Sequence, residues 1–368
     1  MHIVCKRDAL LKNVSIVQKA VSIRGSLPIL SNILLEAKNS TLRVMATDLE
    51  IGIEASFEAT VQEEGTITFP SKYLLEIIRR LPAAEVELYV EKGSQVHIKA
   101  DKAHFTMSGL PADDFPLLPE IKEGQKLKIQ RGVLQTLIEE TSFSCSKDEI
   151  TRPELAGILL ILTPGKIQAV ATDGSRLALR EVEAETEVEG RLEILIPGRS
   201  LEELLRILEM DGENEVEVTL GNNQVEFRLP QRKLITRKIQ SRFVNWEVVI
   251  PTQFEQTYLV DTKRFQESLD RCMLLARLVN NRIQITSQGA SVLLQAVVPE
   301  VGEVREELEW SQGSGSLSEG FNVRYLLEGI HNIKTEYSYL AFAGKERPLV
   351  LRPSDEKGYL YLVMPLRS

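Results

Sequence analysis

The sequence predicts an α+β protein built from three repeated domains, each with two helices packed on β-sheet. Two families of amphipathic helices recur at a common interval, and alternating apolar runs lie between them. A chain of 368 residues also exceeds what one ordinary core encloses.

The first helix of each unit is expected in CKRDALLKNVSIVQKAVS from Cys5, IQRGVLQTLIEETSFSCS from Ile129 and VDTKRFQESLDRCMLLAR from Val260. Each carries apolar residues at i, i+3, i+4 and i+7, the pattern that puts them on one helix face. Strands follow in NILLEAKNSTLRVMATDLEIGIEASF, AGILLILTPGKIQAVATDGSRLALREV and NNRIQITSQGASVLLQAVVPEVGEVREEL, broken by the turns KNS, TPGK and SQGAS. The second helix lies in FPSKYLLEIIRRLP from Phe69, IPGRSLEELLRILEM from Ile196 and FNVRYLLEGIHNIK from Phe321. Proline at the start of the first two suits the first helical turn, where a missing N–H costs nothing. Pro70 to Pro197 spans 127 positions and Pro197 to Asn322 spans 125, so the beat is regular.

Further strands close each unit, the last being YSYLAFAGKERPLVLRPSDEKGYLYLVMPL. Boundaries fall in Leu110–Lys126 and Arg242–Gln256, giving domains 1–122, 123–252 and 253–368. Such domains end in strand edges that demand a partner. A head-to-tail contact between two identical arcs closes a ring and removes the edges.

With 43% hydrophobic and 26% charged residues the chain reads as soluble and globular. No run approaches the roughly 18 apolar residues of a membrane helix, and the N-terminus lacks a signal-peptide pattern. Three dispersed cysteines, Cys5, Cys145 and Cys272, argue against a disulfide framework and for a reducing cytoplasm. The net charge of −9 argues against uniform phosphate binding but leaves room for a basic inner surface.

No sequence motif supports catalysis. GSGSLSEG (Gly313–Gly320) lacks phosphate-loop spacing and reads as a hairpin loop. ATDGSRLA pairs Asp173 with Ser175 and Arg176, but none of His2, His97, His104 and His331 belongs to a triad motif. Asp and Gly there shape a turn, leaving Arg176 and Leu177 to face a groove. Metal-ligand spacing is absent, and neither a metal nor another cofactor is expected. The apolar tail YLYLVMPLRS should be docked, and Met364 suits a malleable binding surface.

LPIL (Leu27–Leu30), TDLE (Thr47–Glu50), LPADDFP (Leu110–Pro116), ATDGSRLA (Ala171–Ala178), FNVRYLL (Phe321–Leu327) and VMPLR (Val363–Arg367) together resemble the bacterial sliding clamps, the beta subunits of DNA polymerase III. The likeness covers the whole chain in order. It implies the DNA clamp fold, closed as a homodimeric six-domain ring with helices lining a channel for double-stranded DNA.

The resemblance assigns DNA contacts to Arg24, Lys72, Arg79, Arg80 and Arg199, with Lys6, Lys12, Lys19, Arg206, Arg324 and Lys334 as further channel cations. Glu149 and Glu154 depart from the polar or aromatic residues of relatives. The tail and TDGSRL resemble two walls of a pocket for short peptides of polymerases, the clamp loader and repair proteins. Its residues would be Leu155, Thr172, Gly174, Ser175, Arg176, Leu177, Val249, Asn322, Tyr325, Pro348, Leu362, Val363, Met364, Pro365, Leu366 and Arg367. Val244 and Val248 make its rim more apolar, and a short loop at Asn280 and Asn281 leaves an aromatic pocket residue without a counterpart. The same likeness sets Phe105 and Met107 against Leu274 and Leu275 of a second copy. A nucleotide- or sugar-processing enzyme using TDGSR, and a structural scaffold, are the alternatives.

Overall fold

The computed structural model describes the chain except residues 23–26, 92, 187, 211, 213, 289–290, 311–316, 355–357 and 368. It forms two compact units, Met1–Gly132 with Arg199–Lys238, and Val133–Gly198 with Ile239–Ser368. Six α-helices occur among the described residues: α1 Arg7–Val17, α2 Ser71–Arg80, α3 Arg131–Glu139, α4 Gly198–Met210, α5 Thr262–Ala276 and α6 Val323–Ile330.

The first unit holds an eight-stranded antiparallel sheet. Its order is Gln125–Gln130, Glu215–Leu220, Gln224–Leu229, Arg232–Arg237, Ile51–Glu58, Thr41–Thr47, Asn32–Lys38, Gly65–Pro70. The second unit holds another, ordered Gln256–Asp261, Tyr337–Phe342, Leu349–Pro353, Tyr359–Val363, Arg176–Glu183, Lys166–Thr172, Gly157–Thr163, Leu192–Pro197. The two orders correspond strand for strand, so each sheet joins strands of two successive repeats. The central repeat is divided between the units for this reason.

The first unit also has a five-stranded sheet, Thr60–Glu63, His2–Lys6, Glu85–Glu91, Gln95–Ala100, Ala103–Ser108. The second has a four-stranded one, Gly302–Glu309, Ser291–Val298, Arg282–Gln288, Ser318–Asn322.

Several expectations need correction. Cys5 and Ile129 lie in strands, and α1 and α3 begin only at Arg7 and Arg131. Each repeat opens with a strand, HIVCK, QKLKIQ or QTYLVD, whose residues alternate between core and solvent. Pro70 and Pro197 end strands rather than enter helices. Both strands are sheet edges, where a residue without an N–H is tolerated. In the third repeat Asn322 caps α6, its side chain accepting from the N–H groups of Arg324 and Tyr325.

Helix packing follows spacing. On α5, Phe265, Leu269, Cys272 and Ala276 are fully buried, in one cluster with Ile283, Val292 and Leu294 of the four-stranded sheet. Both boundary segments contribute side chains to hydrophobic clusters. Phe115 and Leu118 pack with Leu34, Met45 and Ile235. In the second unit Phe243 and Trp246 pack with Leu159, Ile161, Leu177, Val350 and Leu362. Within its unit, each connector therefore covers part of the eight-stranded sheet.

Candidate functional site

The turn Thr172–Arg176 is built by its own side chains. Thr172 Oγ donates to the Arg176 carbonyl at 2.6 Å and accepts from the Gly174 N–H at 3.1 Å. Asp173 Oδ1 accepts from the N–H groups of Ser175 and Arg176, at 2.9 and 3.1 Å. Gly174 has φ +92°, where a side chain would be strained. Thr47 and Asp48 make the same set of bonds in the first repeat, yet Leu49 occupies the left-handed position at φ 76°.

The tail lies directly against this turn. Arg176 pairs with Val363 and Leu177 with Leu362 in adjacent antiparallel strands. Beyond the strand, the Met364 N–H donates to the Ser175 carbonyl and the Leu366 N–H to that of Gly320, both at 2.8 Å. Arg282 Nη1 donates to the Arg367 carbonyl at 3.1 Å. A groove of about 640 Å³ runs along the tail, lined by Met364–Arg367 with Gln284, Gly320, Lys345 and Glu346 among others.

The expected pocket residues fall into layers. Gly174, Ser175, Val249, Met364 and Arg367 are exposed, and Asn322, Tyr325, Pro348, Pro365 and Leu366 are half-buried. Leu155, Thr172, Leu177, Leu362 and Val363 are buried. Leu177 does not face an open groove: strand alternation points it into the cluster of Phe243 and Trp246. Val244 and Ile250 flank that cluster, while Val248 between them is 73% exposed.

Arg176 is also turned inward, against expectation, and is held by Asp173, Glu328 and the Phe143 carbonyl. Phe143 and Glu328 were not foreseen, because residues this distant in sequence carry no local signal. Glu154 pairs with Arg152 at 3.4 Å, and Glu149 is exposed. Asn280 and Asn281 both adopt left-handed φ, which makes the tight turn their short loop needs.

Of the expected DNA contacts, Arg24 lies outside the described residues. Lys72, Arg79 and Arg80 stand exposed on α2. Arg79 and Arg80 share Glu76, whose carboxyl is held below its ordinary value chiefly by the Arg80 hydrogen bond. Arg199 on α4 pairs with Asp48 at 3.1 Å. Lys12 donates to the Met210 carbonyl at 3.0 Å and Arg206 pairs with Glu203 at 3.3 Å. Much of this positive charge is thus locally balanced.

Phe105 lies on the outermost strand of the five-stranded sheet, 38% exposed, opposite buried Ile98; Met107 is half-buried opposite Val96. Leu274 projects from α5 at 61% exposure and Leu275 is half-buried.

In the segment read as a hairpin loop, Gly313–Ser316 lie outside the described residues, and Leu317 is buried just before the strand Ser318–Asn322. Burial pushes the Cys5 thiol up to about 12 and the Cys272 thiol to about 11, so neither is a ready nucleophile. Among the described residues no group of three or more His, Cys, Asp or Glu is placed to hold a metal, and no helix is long and apolar enough to cross a membrane.

Three family models match in order: the DNA polymerase III beta subunit N-terminal domain over residues 1–119, its central domain over 128–245 and its C-terminal domain over 247–367. The chain is 30% identical to the beta sliding clamp of Staphylococcus epidermidis over all of both chains. It is similar to the solved DNA polymerase sliding clamp of Bacillus subtilis, at 30% identity and TM-score 0.91, covering 100% of this chain and 99% of that one. The Pseudomonas aeruginosa sliding clamp matches at 30% identity and TM-score 0.89 over all of both chains.

Proposed function

Because the chain belongs to the family of DNA polymerase III beta subunits, we propose that it encircles duplex DNA as a homodimeric ring. It is a DNA sliding clamp, a processivity factor for the DNA polymerase in replication. The observation that carries this is the ordered match of all three family domains along one chain.

In this reading the domains are 1–122, 123–252 and 253–368, each with two helices on β-sheet, and six of them close the ring. The outermost strands Ala103–Ser108 and Gly302–Glu309 are free edges that two copies would satisfy reciprocally. Phe105 and Met107 of one protomer would meet Leu274 and Leu275 of its partner. Arg24, Lys72, Arg79, Arg80 and Arg199 would face the duplex, and the ion pairs of Arg79, Arg80 and Arg199 suit weak, sliding contact.

The clamp is non-catalytic and works in the cytoplasm. Its grip is topological: DNA leaves only when the ring opens. The groove beside Met364–Arg367 takes short peptides of the polymerase, clamp loader and repair proteins, which raises their effective concentration at the DNA.

The test is retention on DNA. Loaded protein should stay on a closed circle through a high-salt wash and run off after the circle is linearised. Equal loss from both forms would overturn the ring.

A further inference from the structure

We propose that the seam between two copies is proton-linked: His104 on one edge strand meets a row of carboxylates on the other, so the dimer tightens as pH falls. The inference rests on the edge pairing proposed above. Strand alternation decides which side chains meet. In Ala103–Ser108, Phe105 stands opposite buried Ile98 and Met107 opposite buried Val96, which puts both on the core face. Exposed His104, Thr106 and Ser108 therefore share the outer face. In Gly302–Glu309, Val304 and Leu308 join the core cluster and Arg271 of α5 holds Glu306. That leaves Glu303, Arg305, Glu307 and Glu309, all exposed, on the outer face. Two sheets joined edge to edge with continuous core faces bring these outer rows together, in any register that keeps the core faces aligned.

The rows differ in charge. Arg305 takes Glu303 at 3.3 Å, so three carboxylates and one guanidinium leave the acidic row with two negative charges, at Glu307 and Glu309. Ala103–Ser108 carries no carboxylate, and His104 is its one titratable side chain. His97 lies beside it, 7% exposed, with Nδ1 3.1 Å from His104 Nε2 and 3.0 Å from Thr106 Oγ1. Two imidazole nitrogens this close share one proton, and a second charge on the pair would stand against the first.

The other charges on this face do not supply a counter-ion. Lys99 stands directly opposite His104, and the adjacent strand Gln95–Ala100 has no carboxylate. Asp101 and Lys102 of the connecting turn are opposite charges. One strand further in, Glu91 lies 3.5 Å from His97 Nε2, Tyr89 stacks on His97, and His2 engages Glu87 at 2.7 Å. In a single protomer a charged His104 thus sits beside Lys99, and association sets two carboxylates next to it. Proton uptake accompanies association, so by linkage the dimer strengthens as pH falls and weakens as pH rises. The window is that of histidine, around its ordinary value of about 6.5, where glutamates stay ionised.

Fluorescence-detected sedimentation of the full chain over a dilution series gives the dimer dissociation constant at pH 6 and pH 8, at fixed ionic strength. A ring has two such seams, and about threefold per exposed charge pair makes association roughly tenfold tighter at pH 6. His104→Gln should abolish that ratio, and His104→Arg should give tight association at both pH values. Glu307→Gln with Glu309→Gln should shrink the ratio without touching a histidine, and decides alone if His104→Gln does not fold. A merely structural His104 would shift both constants by one factor and keep their ratio. Equal wild-type constants at the two pH values, or a ratio that survives His104→Gln, overturn the proposal. Protein that stays monomeric at both pH values would instead overturn the ring reading itself.

Discussion

Gly329 lies inside α6, where atoms of the Tyr361 ring occupy the space a side chain would need. A Cβ there would overlap the ring outright, and Tyr361 is fully buried, with little room to turn. Gly329→Ala should therefore destabilise the fold by about 1–3 kcal/mol, the usual range for overpacking, despite the better helix propensity of alanine. Urea unfolding measures it, and a wild-type midpoint would show that the ring yields freely. Leu49 and Gly174 make the complementary point. The same threonine–aspartate turn holds both in left-handed backbone, at φ 76° and 92°, and only at Leu49 does a Cβ add strain of roughly 1–2 kcal/mol.

Helix α5 is fastened to the edge strand Gly302–Glu309 by one fork. Arg271 donates to the two oxygens of Glu306 at 2.8 and 2.7 Å, and the distance from Ser268 Oγ to Glu306 is 3.1 Å. The Arg271 hydrogen bond, more than any other cause, holds the Glu306 carboxyl below its ordinary value of 4.5. A depressed carboxyl contributes stability above its unfolded value and loses it as pH falls through the folded one. Glu306→Gln should thus be slightly less stable than wild type at pH 7, with the difference shrinking in salt and closing below about pH 4. Denaturation curves at the two pH values check this. A gap that persists in acid would assign the effect to packing instead.

For the assembled molecule, the edge strand bearing Phe105 and the exposed leucine on α5 matter together. Replacing both Leu274 and Leu275 with aspartate puts two charges into the proposed seam without touching the buried face of Phe265, Leu269 and Cys272. Folded monomers are the expected product in sedimentation, with unfolding close to that of a wild-type monomer. A dimer that survives would move the seam elsewhere. Loss of retention on circular DNA should accompany monomer formation, because a topological grip needs the closed ring.

The sequence by itself determined the repeats, the amphipathic helices and the tail as a docked element. The repeats and helices are periodicities, the tail is legible from its apolar composition, and spacing alone puts Phe265, Leu269, Cys272 and Ala276 on one helix face. The leading strands HIVCK and QTYLVD read as helix starts, because their alternation runs straight into helical patterns that mask their ends. Only the tertiary structure decided that strands of successive repeats share one sheet, since strand pairing depends on register between distant segments. For the same reason only it revealed Phe143 and Glu328 around Arg176, and the burial of Leu177 under Phe243 and Trp246. A buried cation recruits whatever carboxylate the fold brings near, and that choice is made in space, not along the chain.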